Sequence, residues 1–367
     1  MPEKEQITEN EYPLNQLYFY LTKVCNLRCR HCWLAPEYQQ EAKPGKYLPF
    51  DPFKKIVNEA KGLGLTCVKL TGGEPLLNPD FCKMIEFVKN EDLGLTLETN
   101  GLLCTFEIAQ QLAECKEIFV SVSLDASTPE IHDVIRGVKG AFQRTIAGIQ
   151  NLVKAGIKPQ IIMSVMKQNK GEIESLVMLA SELGAGSIKF NLITPTARGK
   201  KMHDHDETLS VKDLIDIGNW VEGELSKRMD IPLFYDYPAA FRPLSKMFGK
   251  NGDGCSACGI KNILGVLSDG AYALCGIGEN VPELVFGHSE KDSLYYVWNK
   301  SCIINELRKE LPNKLEGICA VCLMKNMCLG SCIAQNYYRN KRLFASFWFC
   351  EEADRIGLFP ESRKASA

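Results

Sequence analysis

Sixteen cysteines in a chain of 367 residues are the groups best able to do chemistry, and they are placed unevenly. Seven lie between Cys25 and Cys115, none from Lys116 to Gly254, and nine between Cys255 and Cys350. The first group includes KVCNLRCRHCW, with the spacing Cys25-x3-Cys29-x2-Cys32. Three thiolates on one tight loop can hold three irons of a four-iron cluster. The fourth iron is then open to the amino and carboxylate groups of a small molecule, to which it can deliver one electron. The alternative on the same residues is a zinc loop that recruits His31 as a fourth ligand.

The second group reads Cys255-x2-Cys258, Gly270-x4-Cys275, Cys319-x2-Cys322-x5-Cys328-x3-Cys332 and then Cys350. These eight thiols make two sets of four, the number that two fully ligated cuboidal clusters need. A zinc-ribbon reading uses the same residues. Cys67, Cys82, Cys104 and Cys115 read most simply as small buried hydrophobes.

Other polar motifs fall where strands are expected to end. In Thr71-Gly72-Gly73-Glu74-Pro75, the glycines let backbone approach a ligand and the carboxylate can accept from an ammonium group. Glu98 to Gly101, with Asn100, forms a second such end. Ser123 and Asp125, in SVSLDAS, can hydrogen-bond ribose hydroxyls, and Arg136 follows in DVIRG.

The elements that position these residues alternate. β-rich runs near 17–22, 67–72, 94–100, 118–125, 161–166 and 188–193 are separated by helical patterns, giving six βα units and a parallel sheet. In the first helical pattern Phe53, Ile56, Val57, Ala60 and Leu63 keep the spacing of a buried face. Right-handed crossovers curl such units into a partial (β/α)6 barrel or leave an open doubly wound sheet, and either places the chemistry at the strand C-termini. The predicted organisation is an N-terminal extension (1–15), an α/β core (16–200), a helical bridge (201–252), a cysteine-rich module organised by metal (253–355) and a tail (356–367).

With these motifs in place, residues 16 to about 200 resemble the radical S-adenosylmethionine (SAM) superfamily, whose mark is the three-cysteine loop on the first βα unit of a partial barrel. The resemblance implies a cluster that reductively cleaves SAM to a 5′-deoxyadenosyl radical, which abstracts a hydrogen atom from substrate. It assigns the cluster to Cys25, Cys29 and Cys32, the methionine amino group to Gly72, Gly73 and Glu74, and further SAM contacts to Asn100, Ser123, Asp125 and Arg136. His31 and Leu192 fall where adenine contacts are expected.

The downstream cysteines are similar to the SPASM extension of radical SAM peptide maturases, which holds two auxiliary four-iron clusters. By motif order Cys255, Cys258, Cys275 and Cys332 would ligate the first, and Cys319, Cys322, Cys328 and Cys350 the second, for three clusters in all. Cys302, between the two halves of the module, is a candidate hydrogen donor to a substrate radical.

Such enzymes mostly act on peptides, and the reading favoured here is modification of a ribosomally synthesised peptide. Sulfatase maturases carry an acid after the cysteine matching Cys275, where this chain has Gly276. Sulfatase-type side-chain oxidation and tetrapyrrole modification are the alternatives. Few residues precede the first strand, so a separate leader-peptide-binding protein is an expected partner, as is a ferredoxin- or flavodoxin-type electron donor.

A formal net charge of −2 argues against nucleic acid as the main partner. The opening MPEKEQITENEYPLNQ is too acidic for a signal peptide, and no apolar run is long enough to span a bilayer, so a cytoplasmic enzyme is expected. Arg198 is a further candidate for SAM's carboxylate or the peptide, whereas His203 and His205 read as solvated.

Overall fold

The six predicted strands form, in the order and near the positions the hydrophobic runs require. They are β1 (Gln16–Tyr20), β2 (Cys67–Thr71), β3 (Gly94–Thr99), β4 (Ile118–Ser123), β5 (Gln160–Val165) and β6 (Ser187–Leu192). The computed structural model describes residues 12–249 and 258–365. Between the strands run α1 (Phe50–Lys61), α2 (Phe81–Asn90), α3 (Phe106–Ala113), α4 (Pro129–Arg136), α5 (Ala141–Lys154) and α6 (Ile173–Glu182). Helix α1 buries Phe53, Ile56, Val57 and Ala60, as its periodicity demands. Phe53 stacks 4.5 Å from Phe19 of β1, and each apolar side chain so buried contributes about 1.5–3 kcal/mol.

The sheet extends beyond the six strands. β7 (Leu233–Tyr235) pairs parallel with β6, and β8 (Ile263–Val266) pairs parallel with β1. β9 (Ala271–Ala273) and β10 (Val285–His288) follow antiparallel, giving a ten-stranded order β10-β9-β8-β1-β2-β3-β4-β5-β6-β7. Thus the bridge and the cysteine-rich segment both add strands to the core sheet. The segment also shares the main hydrophobic core, since Trp298 and Phe349 are buried in the same cluster as Phe19 and Phe53. Trp298 donates through Nε1 to the Tyr12 carbonyl at 2.9 Å, tying a late helix to the chain's first described residue.

Within the predicted helical bridge, a helix starts at Val211 on a Ser210–Asp213 capping box and passes through a π turn at Val221–Leu225. Cys104 and Cys115 are buried as expected, whereas Cys67 is only partly buried and Cys82 is exposed. No helix among the described residues is long and apolar enough to cross a membrane.

Candidate functional site

The loop carrying Cys25, Cys29 and Cys32 leaves β1 at the C-terminal edge of the sheet. Three neighbouring turns clamp it. The first is Gly72–Gly73 after β2. A side chain at Gly73 would place its Cβ 1.9 Å from the Val24 carbonyl oxygen, so glycine here lets the turn lie on the strand leading into Cys25. The second is the end of α4, where Arg28 and Arg30 N–H groups donate to the Arg136 and Ile135 carbonyls at 3.0 Å. The third is α7 (Ala197–Asp204), from which Arg198 donates to the carbonyls of Cys29 (3.2 Å) and Pro36 (2.8 Å). Arg198 is therefore a clamp on the cysteine loop, a role that no local motif reveals.

Around the thiols the polar side chains are specific. Asn100 Nδ2 lies 3.8 Å from Cys25 Sγ and donates to Asn26 Oδ1 at 2.7 Å. Arg136 Nη1 stands 3.6 Å from Cys29 Sγ. Burial pushes the Cys29 thiol up to about 11, against the pull of Arg136, and raises Cys25 further. Buried thiolates need positive charge beside them, which iron supplies. That donor set, on one loop, suits a cluster.

Several of the residues expected to contact SAM are held by other protein groups. Glu74 is buried, and its carboxylate accepts from Thr99 Oγ1 (2.6 Å), Asn100 N (2.9 Å) and Leu76 N (3.2 Å). Burial raises it to about 7 in spite of these donors. Asp125 is fully buried behind the site. One carboxylate oxygen is 2.8 Å from Arg136 Nε, and the other accepts from Ser164 N at 2.9 Å. Burial alone would raise Asp125, but Arg136 holds it below the usual carboxylate range. Asp125 and Arg136 thus form a buried ion pair. Ser123 is partly buried at the end of β4. Gly72 and Gly73 line a cavity of about 180 Å³ shared with Lys23, Glu279 and Asn280.

His31 stands in front of Asp125, with Nε2 at 3.8 Å from Oδ2, and desolvation lowers it to about 4, so it is neutral at pH 7. His31 and Leu192 line one cavity of about 390 Å³ at the barrel mouth. Its floor carries Tyr18, Lys189, Asn191 and Asp236, and its far wall Cys258, Cys328, Cys332, Gln335 and Trp348. The floor residues escaped the sequence reading, although Lys189 and Asn191 alternate along β6 with buried Ile188 and Phe190. Cys302, the candidate hydrogen donor, is exposed at the start of helix Cys302–Glu310 and is not among the residues lining this cavity.

The downstream thiols sort into two groups. Cys258, Cys275 and Cys332 are electrostatic neighbours, each buried enough to raise its thiol. Cys255 lies outside the described residues. Cys350 neighbours Cys319, Cys322 and Cys328, and these four line one pocket with Leu315, Phe347 and Phe359. Among the described residues no three His, Cys, Asp or Glu side chains converge on a single-ion position. Gly276 packs under Tyr20, whose ring carbon would sit 2.2 Å from any Cβ there, so the position after Cys275 has no room for an acid. His203 departs from its expected solvation. It is half-buried, with Nε2 3.0 Å from the Ile193 carbonyl oxygen and its ring edge-on to Trp348, while His205 is exposed.

Comparison with known proteins decides the family. The model of the radical SAM superfamily matches residues 19–180. An AdoMet-dependent heme synthase of Methanosarcina barkeri is 33% identical over 330 residues, 86% of this chain and 90% of that one. The chain belongs to the radical SAM superfamily. Mycofactocin maturase MftC of Mycobacterium tuberculosis is 26% identical over 326 residues, covering 88% of this chain and 79% of its own. Among solved structures, Streptococcus suis SuiB bound to S-adenosylmethionine superposes with a TM-score of 0.72 at 21% identity, covering 93% of this chain and 77% of SuiB. That likeness establishes the shared fold, a partial barrel with a cysteine-rich extension. As a radical SAM enzyme, the protein uses SAM and a four-iron cluster.

Proposed function

We propose that this enzyme modifies a peptide by hydrogen-atom abstraction, with Cys25, Cys29 and Cys32 holding the SAM-binding cluster. Bound there, the reduced cluster and SAM together supply a 5′-deoxyadenosyl radical. Asn100 and Arg136 would place N–H groups beside the ligating sulfurs, His31 and Leu192 would border adenine, and Ser123 would be in reach of polar groups of SAM. Gly72 and Gly73 would offer backbone to its methionine end, and Asp125 fixes Arg136 and backs His31. Two auxiliary clusters would be held by Cys255, Cys258, Cys275 and Cys332, and by Cys319, Cys322, Cys328 and Cys350.

The observation that carries the peptide reading is the barrel-mouth cavity. Among the described residues lining it Lys189 is the one lysine or arginine, and it already faces Asp236 at 3.4 Å. A peptide side chain with its amide backbone matches Ser164, Asn191, Thr194, Ser331 and Gln335 around that balanced pair. The names of two similar proteins agree with it, since MftC is a mycofactocin maturase and SuiB has been solved with its precursor peptide SuiA. The relative in M. barkeri favours a second reading, in which the substrate is a tetrapyrrole. The carboxylates of a tetrapyrrole would find a single cation in the cavity.

The test is anaerobic reconstitution, iron and sulfide counts, then dithionite and SAM with 5′-deoxyadenosine read by mass spectrometry. About twelve irons per chain and SAM cleavage are expected. Cleavage accelerated by precursor peptides, and not by propionate-bearing porphyrins, supports the peptide reading. The reverse result overturns it. A separate leader-binding protein and a ferredoxin- or flavodoxin-type donor are the partners this reading proposes.

A further inference from the structure

The sheet register places an unusual row of residues beside the first group of downstream thiols. Thr96 of β3, Lys69 of β2, Tyr18 of β1 and Gly265 of β8 are lateral neighbours across four adjacent strands. Gly265 is the opening in this row. A Cβ there would lie 2.7 Å from the Cys275 Cα, so only the missing side chain lets Cys275 settle onto the sheet beside Tyr18. Tyr18 lines the barrel-mouth cavity together with Cys258 and Cys332.

Lys69 reaches toward this corner, with its ammonium 4.7 Å from the centre of the Tyr18 ring and 2.5 Å from Glu98 Oε1. Thr71 Oγ1 donates to the other Glu98 oxygen at 3.2 Å. The electrostatic neighbours of Cys258 and Cys275 include Lys69, which favours their thiolate forms. Against the effect of burial, Lys69, and to a lesser degree Lys189, hold the Glu98 carboxyl below its ordinary range. A positive charge with its own counter-charge therefore lies beside Cys275 and beside Cys258, which borders the cavity. Lys69 is largely shielded from water, which weakens screening of its field.

We propose that Lys69, held in place by Glu98, sets the reduction potential of the iron–sulfur group that Cys258, Cys275 and Cys332 would hold. The proposal rests on the reading that these thiols bind such a group. Lys69 acts as a fixed charge: reduction adds one electron to the group, and a nearby cation favours the more negative state, whereas the Glu98 carboxylate opposes it. Lys69 and Glu98 are positioning residues, since neither needs to touch iron or substrate.

The experiment is a mediated potentiometric titration of the reconstituted full-length protein, followed by electron paramagnetic resonance and tracking the signal that Cys275→Ala abolishes. Lys69→Met is expected to lower the midpoint, disfavouring reduction about tenfold, or about 59 mV for a one-electron couple. Glu98→Gln leaves Lys69 in place without its counter-charge and is expected to raise the midpoint. Lys69→Arg, which keeps the charge, is expected to stay near the parent value. Shifts of Lys69→Met and Glu98→Gln in the same direction, or no shift in either, overturn the proposal while leaving cluster binding intact. A Lys69→Arg shift as large as that of Lys69→Met overturns it in favour of a packing role. If Cys275→Ala abolishes no signal, the cluster reading itself fails and the proposal falls with it.

Discussion

Gly73→Ala isolates the contact that fixes the cysteine loop. Gly73 does not have a positive φ, so the substitution carries no backbone strain of its own and its effect is steric. The new Cβ would meet the Val24 oxygen at 1.9 Å and the Val24 carbonyl carbon at 2.6 Å, both far inside contact distance. The turn must withdraw by about an ångström, and two backbone hydrogen bonds lengthen with it, Glu74 N to the Val24 oxygen and Gly73 N to the Thr22 oxygen, each 2.9 Å. Overpacking costs about 1–3 kcal/mol and each weakened bond about 0.5–1.5, together about 2–6 kcal/mol. Because Val24 precedes Cys25, that cost falls on the cysteine loop. Even the low end would weaken retention of the cluster proposed for that loop about thirtyfold. The assay is iron per chain with SAM cleavage after reconstitution. Gly73→Ala should lose the iron of this loop and its SAM cleavage while keeping iron bound to the downstream thiols. Gly171→Ala, with nothing within 4 Å of its Cβ, should match the parent. Full iron and parent-rate cleavage in Gly73→Ala would refute the clamp.

Three further outcomes are expected. Asp125→Asn leaves Arg136 buried without its counter-charge, so thermal unfolding should reveal a loss of about 3–5 kcal/mol, most of it recovered in Asp125→Asn/Arg136→Met; equal stability of the single variant and the parent would contradict the buried pair. Cys350→Ala removes a thiol from the enclosed set with Cys319, Cys322 and Cys328 and should open the C-terminal segment to limited proteolysis while β1–β6 stay resistant; an unchanged digest counts against that set as a fold-holding site. His203 has its pKa lowered, chiefly by desolvation, so the folded chain binds its proton less readily than the unfolded chain and stability should fall as pH drops below about 6.5. His203→Gln should flatten that slope in a pH series of melting curves, and an unchanged slope would assign it to other groups.

The strands and the cysteine loop were legible in the sequence because their signals are local. An apolar run such as IIMSVM needs no partner to be read, and the spacing of Cys25, Cys29 and Cys32 is contained in eight residues. The extra strands were not legible for the opposite reason. β7 has three residues and β8 four, too short for a period-two pattern to stand out, and they are strands because β6 and β1 present open edges to them. The same distinction applies to Glu74 and Asp125. Sequence gives a carboxylate at a strand end, but only tertiary packing shows that Thr99, Asn100 and Leu76 surround the first and Arg136 the second. Arg198 and Lys189 were missed or misread because a clamp and a cavity floor are defined by residues far away in the chain.

β1 explains why the two ends of the chemistry belong to one body. Its C-terminal end feeds the cysteine loop through Val24, and its lateral neighbour β8 carries Gly265, on which Cys275 rests. Tyr18 and Tyr20 lie between these two sites, Tyr18 beside Gly265 in the register and Tyr20 against Gly276. A β-strand has little freedom to stretch along its axis, and β1 is hydrogen-bonded on both sides, to β2 and β8. The separation between the cysteine loop and Cys275 is therefore set by the rise of one strand. Tyr18 of this strand also lines the barrel-mouth cavity, whose other side is built by Ser331, Gln335 and Trp348 of the cysteine-rich segment, so the rigid strand and that segment share one site.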